Sequence, residues 1–332
     1  MNKMRTAITL ALAAGILGGA QGNDARGQRV EDYSVFFAAC STAGSDRPCV
    51  CLRSFRQGGV LFLLCLDPSR LTTRIVRRDD ACFAPATLPQ LRDRFRGLPY
   101  FVALDSMEKS GRRLQDAGIT HVYPAKKGID LTADLCPSKR PLDREFFTTL
   151  ISRFEPEEKP VPIGVAVTGN WMWEHADDLA WLVGLQKKGD LNITWINHSY
   201  NHRTIKGAGI AENFLLEKGT DLNFEVLNTE RKMIENGMTP SVFFRFPGLV
   251  SDSLIFVKIV SFGLIPLGSD AWLAKNQLPA DGSIVLVHAN GNEPYGIKRF
   301  FDLIRQERDS IITGRWLLFD LRQSVAESEK EK

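Results

Sequence analysis

From Ile129 onward the chain alternates short, nearly uninterrupted apolar runs with amphipathic segments, and this rhythm limits what its 332 residues can fold into. Ile129 to Thr132, Val161 to Thr168, Asn192 to Asn197, Val242 to Phe246, Leu264 to Leu267, Ile284 to His288 and Trp316 to Leu321 read as strands. Residues 142–154, 174–188, 224–236, 253–261 and 297–312 read as the intervening helices, with Pro141 opening the first and Gly237 closing the third. Strands that are apolar on both faces belong to a parallel sheet covered by helices. The expected architecture over residues 129–322 is therefore α/β, with the sheet open or closed into a (β/α) barrel. Such folds carry their chemistry at the carboxyl ends of the strands. Asp134, His198, Arg245, Asp270 and His288 fall at or just beyond those ends, one after another.

The preceding part differs. Residues 1–22 read as a signal peptide: Lys3 and Arg5 precede an apolar stretch too short to span a bilayer, and Ala20-Gln21-Gly22 offers small residues for cleavage. Residues 30–125 form a small cysteine-rich α+β domain. Val60 to Leu66 and Leu71 to Val76 are its strands around a turn at Asp67-Pro68-Ser69, and residues 88–96 are a helix. Tyr100 to Leu104 and Thr120 to Tyr123 read as further strands, residues 110–117 as a helix, and residues 124–128 as the boundary. The Glu- and Lys-rich residues 323–332 read as a disordered tail. Six cysteines in an exported chain imply disulfides, with 15 connectivities if all pair. Cys49-Val50-Cys51 is too tight for a zinc pair.

Removing Lys3 and Arg5 takes the net charge from +3 to +1 (3 − 2), a balance that argues against nucleic acid or an anionic membrane as partner. No other run is long and apolar enough to remain in a membrane after signal cleavage. The mature protein is expected to be periplasmic or secreted.

Only five histidines exist, and two of them, His198 and His202, close the run Asn197-His198-Ser199-Tyr200-Asn201-His202. On a helical turn that spacing puts both imidazoles on one side, within reach of one divalent ion. Asp134 is the carboxylate placed to act as a base, and Arg245 can hold it ionised. His288 is a candidate acid, Asp270 a candidate to keep it protonated, and main-chain N–H groups near Gly248 candidates for an oxyanion. Each has a plainer reading: Asp134 as a cap, Arg245 as a buried ion-pair partner, His288 as a core histidine. Trp195 and Trp272 would either line a sugar subsite or pack in the core. His121 and His175 are given no role.

In this order the motifs resemble the polysaccharide deacetylase family, the NodB-homology domain of carbohydrate esterase family four. His198 to His202 resembles its metal-binding motif, Phe244-Arg245-Phe246-Pro247-Gly248 the motif whose arginine orients the base, Ser269-Asp270-Ala271-Trp272 the motif beside the pocket, and Ile284 to His288 the strand ending on the acid histidine. The resemblance implies a distorted seven-stranded deacetylase barrel, zinc on His198 and His202, an acetylated glycan as substrate, and a hydrolase that removes acetyl groups. The first motif departs: in Thr132-Ala133-Asp134-Leu135-Cys136-Pro137, Leu135 stands where the family has its metal-ligand aspartate. That departure supports an alternative, a catalytically impaired, deacetylase-like carbohydrate-binding protein. A further option moves Asp134 itself into the ligand role.

Overall fold

The computed structural model describes residues 29–42, 45–109 and 114–330, so the signal sequence expected at 1–22 lies outside the described residues. Five antiparallel strands come first: β1 (Val30–Thr42), β2 (Ser45–Gln57), β3 (Val60–Asp67), β4 (Thr72–Arg77) and β5 (Ala81–Pro85), in the order β4-β3-β2-β1-β5. Helices α1 (Leu88–Arg94) and α2 (Pro99–Lys109) follow. A Thr87–Gln90 capping box starts α1. The strand expected at Tyr100 to Leu104 is instead part of α2. Pro99 suits a first helical turn, and Tyr100, Ala103, Leu104 and Met107 recur at helical spacing as a buried face. The helix expected over 110–117 is irregular at 114–117, and residues 110–113 lie outside the described residues.

The second sheet is wholly parallel. Its elements in chain order are β6 (Lys127–Leu135), α3 (Arg144–Phe154), β7 (Val161–Val167), α4 (Gly169–Glu174), α5 (Ala176–Lys188) and β8 (Leu191–Asn197). They continue through α6 (Thr229–Glu235), β9 (Phe243–Phe244), α7 (Ser253–Ser261), β10 (Ile265–Pro266), β11 (Ala271–Trp272) and β12 (Ile284–His288). Last come α8 (Pro294–Gln306), α9 (Arg308–Ile312), β13 (Trp316–Leu318) and α10 (Leu321–Lys330). Seven strands run in the order β10-β9-β8-β7-β6-β12-β11, and β13 pairs with the start of β6. Gly128 permits that last pairing, since a Cβ there would sit 2.0 Å from the Leu317 carbonyl oxygen.

The sheet is a half-barrel with β10 and β11 at its edges, and a segment from outside the sheet links β10 to the start of β12. Ile119 N–H donates to the Pro266 carbonyl, Ile284 N–H to the Thr120 carbonyl and Val122 N–H to the Gly282 carbonyl. The strand expected at Thr120 to Tyr123 does not form; the segment makes only an isolated bridge, His121 to Ser283, and these hydrogen bonds tie it to the barrel. Packing crosses the 124–128 boundary as well. One apolar cluster joins Leu91, Tyr100 and Leu104 to Phe243, Ile265, Leu321 and Val325. Buried Arg53 makes a two-point ion pair with Glu230 at 2.7 and 3.0 Å and donates to the Phe262 carbonyl.

One expectation is corrected here. The tail expected to be disordered from residue 323 is helix α10 through Lys330, because Val325 and Ala326 bury against α2 and its neighbours. The expected disulfide is present, as one bridge among the six cysteines. Cys40–Cys49 is the disulfide, Cys51 and Cys65 face each other unbonded at 3.5 Å, Cys82 is exposed, and Cys136 is buried at the end of β6. Among the described residues no helix is long and apolar enough to cross a membrane.

Candidate metal centre

The carboxyl ends of β6, β8, β9 and β12 converge on one buried polar cluster. Asp134 and His288 are register partners on the adjacent strands β6 and β12, and Arg245 follows β9 directly. Strand alternation decides what faces inward from β6: Asp134 and Cys136 share one face, while Leu135 points the other way. Leu135 is fully buried in the apolar cluster with Leu142, Phe146 and Val167. It is no part of the polar centre.

Asp134 is 2 % exposed and Arg245 is completely buried. Arg245 Nη1 donates to Asp134 Oδ1 at 2.8 Å and to Thr132 Oγ1 at 2.7 Å, and Nη2 donates to the Gly268 carbonyl at 3.0 Å. Thr132 is fixed in turn by donating to the Val285 carbonyl. The guanidinium therefore occupies one carboxylate oxygen. The other, Asp134 Oδ2, lies 3.6 Å from His198 Nε2.

His198 Nδ1 meets the Arg245 carbonyl at 2.9 Å, and because a carbonyl only accepts, Nδ1 carries the proton. In the neutral ring Nε2 is then the lone-pair nitrogen, and it lies 3.5 Å from Cys136 Sγ. His202 packs edge-on against His198 at 4.9 Å between ring centroids. The pair does not sit on the helical turn that its spacing suggested. Residues 198–202 form a loop in which Ser199 (φ 67°) and His202 (φ 47°) take left-handed backbone, so both rings converge without helix. Buried Glu225 holds that loop, accepting from Tyr200 N–H, Asn201 N–H and Asn201 Nδ2.

Cys136 Sγ, His198 and His202 place their donor atoms within 4.8 Å of one another. Burial alone would push the Cys136 thiol up; the imidazoles of His202, His288 and His198 outweigh it and hold the thiol well below its usual value. Burial likewise opposes charge on His198, yet Asp134 and Cys136 raise its pKa. Thiolate and imidazole are donors that suit zinc and other borderline ions, so the residues present fit a divalent metal. Asn290 Nδ2 donates to the Cys136 carbonyl at 2.7 Å and fixes the turn that presents the sulfur.

At the opposite wall, Glu293 Oε2 lies 2.8 Å from His288 Nδ1, close but off the N–H direction, so the contact is an ion pair rather than a directed hydrogen bond. Trp272 Nε1 donates to the same oxygen at 2.7 Å, and its ring leans over His288. Burial would lower the pKa of His288, but Cys136, Glu293 and Asp134 raise it well above its usual value. Asp270 does not take this role. It accepts from Ile284 N–H at 3.1 Å and pairs with His121 at 2.7 Å. His288 is four residues further along the strand, roughly 13 Å away at the usual rise. Trp195 is a core residue bonded to Gln186, whereas Trp272 borders the cluster. Gly248 (φ 61°) lies under the Phe214 ring, which also packs on His202.

Four residues of the centre were missed by sequence reasoning: Cys136, Glu225, Asn290 and Glu293. Alternation on β6 is a signal that would have found Cys136; the other three come from loops and from the irregular helical turn at 224–228, where no period operates. A cavity of about 960 Å³ lined by Lys126, Asp281, Arg315 and Trp316 lies at the amino-terminal end of β6, remote from these groups.

Fold and cluster together define an α/β half-barrel with a thiol–imidazole donor set, a buried Asp–Arg pair and a histidine held by a carboxylate. A scan of the sequence against protein-family models finds no match. Among solved structures, a family 4 carbohydrate esterase from Bacillus anthracis is similar at 18 % identity, over 63 % of this chain and 87 % of that one, with a TM-score of 0.45. A peptidoglycan deacetylase from Bacillus subtilis is similar at 16 % identity, 63 % and 95 % coverage and a TM-score of 0.42. A pseudoenzyme of the same esterase family from Bacillus anthracis gives 14 %, 64 % and 70 %, and 0.43. These are distant likenesses.

Proposed function

We propose that the protein is a metal-dependent hydrolase that removes acetyl groups from a glycan, acting in the periplasm or outside the cell. The observation that carries this reading is the juxtaposition of Asp134, ion-paired to Arg245, with His198 on one side and its register partner His288 on the other. These are a base, a metal-ligand donor and an acid converging on one point. The motif resemblance of residues 129–322 to the polysaccharide deacetylases agrees with it.

A divalent ion held by His198 and His202, with zinc the expected one, would polarise the acyl carbonyl and lower the pKa of water to about 7. Asp134 takes the proton of the attacking water through Oδ2, since Arg245 occupies Oδ1. His288, held by Glu293, gives a proton to the departing amine or alcohol. Trp272 fixes Glu293 and presents its ring beside the acid, a surface suited to the apolar face of a sugar.

Leu135 supports the second reading, a glycan-binding protein on a degenerate deacetylase fold. Acetate release from a panel of N- and O-acetylated oligosaccharides, measured before and after chelation, separates the two. Chelator-sensitive release supports the hydrolase. Glycan binding that survives chelation, with no release by zinc-loaded protein, supports the binding module.

A further inference from the structure

The metal-dependent reading leaves two imidazoles without a third protein ligand, since Leu135 is in the core. Building on that reading, we propose that Cys136 Sγ is the third ligand, making a Cys-His-His centre that selects thiophilic ions such as Zn²⁺ and Co²⁺ over Mg²⁺ and Mn²⁺. The chain replaces a missing carboxylate with a thiolate one residue further on.

Three observations carry this. First, position: Cys136 follows Asp134 by two residues, so it turns to the same face of the sheet end, while the intervening Leu135 is buried among Leu142, Phe146 and Val167. Second, distance: a tetrahedral ion with sulfur at 2.3 Å and nitrogen at about 2.05 Å holds those two donors about 3.6 Å apart, and Cys136 Sγ lies 3.5 Å from His198 Nε2. Third, orientation. His198 spends Nδ1 on the Arg245 carbonyl and turns Nε2 toward the sulfur, the arrangement by which a backbone carbonyl fixes a ligating imidazole. Asn290 does the equivalent for cysteine by holding the Cys136 carbonyl at 2.7 Å. Cys136 is 6 % exposed and has no neighbouring cysteine in the cluster, so a disulfide is not its use.

The preference for ions follows from donor softness: thiolate and imidazole favour zinc, cobalt and copper, whereas magnesium and manganese favour all-oxygen sets.

The test uses the full mature chain, stripped with a chelator and reloaded with Co²⁺. The wild type is expected to show a sulfur-to-cobalt charge-transfer band in the near ultraviolet together with the visible bands of a tetrahedral ion. Cys136→Ser, which keeps the size of the side chain, should lose the charge-transfer band and bind metal at least about tenfold more weakly, the low end of what losing even an outer partner does. If that variant fails to fold by circular dichroism, zinc-edge X-ray absorption on the wild type decides, with one sulfur at about 2.3 Å expected. A first shell of nitrogen and oxygen only, an unchanged spectrum in Cys136→Ser, or no cobalt binding overturns the proposal. Metal-dependent acetate release without a sulfur signature leaves the hydrolase standing and removes the thiolate ligand. A sulfur signature without acetate release does the reverse.

Discussion

Leu135→Asp restores by sequence the carboxylate expected from the family resemblance, and the structure predicts that it damages the protein instead. The Leu135 side chain is fully buried in the cluster around Phe146 and Val167, and its carbonyl accepts from Thr168 N–H and Thr168 Oγ, so the backbone is pinned and cannot turn the new side chain inward. Losing the leucine contacts costs about 2–5 kcal/mol. Keeping a buried aspartate protonated at pH 7, about three units above its ordinary pKa, costs roughly another 4 kcal/mol. The sum, about 6–9 kcal/mol, is comparable to the whole stability of an ordinary domain. Urea unfolding should show Leu135→Asp unfolded or near its midpoint without denaturant. Leu135→Ala supplies the measurable companion: about 2–5 kcal/mol less stable, with zinc affinity unchanged. A tenfold gain in metal affinity by Leu135→Asp with an unchanged midpoint would refute the placement of this side chain and the reasoning built on it.

Other outcomes are expected as follows. Glu225→Gln removes one of the two acceptor oxygens that hold residues 200 and 201, and titration should show zinc affinity falling about 10–100-fold with the fold intact by circular dichroism. Unchanged affinity would mean that the loop holds its shape without the carboxylate. Glu293→Gln removes the anion beside His288, which helps raise its pKa; the alkaline limb of the activity profile should therefore move to lower pH, and an unmoved limb excludes Glu293 as the acid's partner. Glu158 is pushed up to about 7 by burial, against an ordinary value of 4.5. Its unfolded form releases the proton first, so stability falls as pH rises from about 4.5 to 7. Glu158→Gln should be more stable than wild type by about 1–3 kcal/mol at pH 8 and should lose that advantage by pH 4. Urea midpoints at the two pH values check the sign.

What could be read from the chain divides along physical lines. The barrel strands and helices carry their period in their apolar residues, so Val161 to Val167, Leu191 to Asn197 and Ile284 to His288 were legible to within a residue or two. Tyr100 to Leu104 was not, because a short apolar run fits strand and buried helix alike, and only the packing of α2 on α10 decides between them. The tail misled for a related reason: composition made α10 look solvated, while Val325 and Ala326 anchor it. In the centre, Asp134, His198, Arg245 and His288 were legible because they end strands. Glu293 was not, since it reaches His288 from a loop, and Asp270 was assigned its role because sequence order does not show how far apart two residues lie along a strand pair. Cys136 was hidden by the compartment expected from residues 1–22: an even cysteine count in a chain expected to be exported suggests disulfides, and only the fold separates this thiol from the five in the first sheet.

The most direct measurement is acetate release by zinc-loaded protein from acetylated glycans, comparing wild type with Asp134→Asn at equal metal content. Asparagine keeps the size of the side chain but cannot take a proton from water. The account predicts release that chelation abolishes and zinc restores, and that falls by about 10²–10⁴-fold in Asp134→Asn. Release that is equal in the two proteins, or absent from the wild type with metal bound, would contradict it.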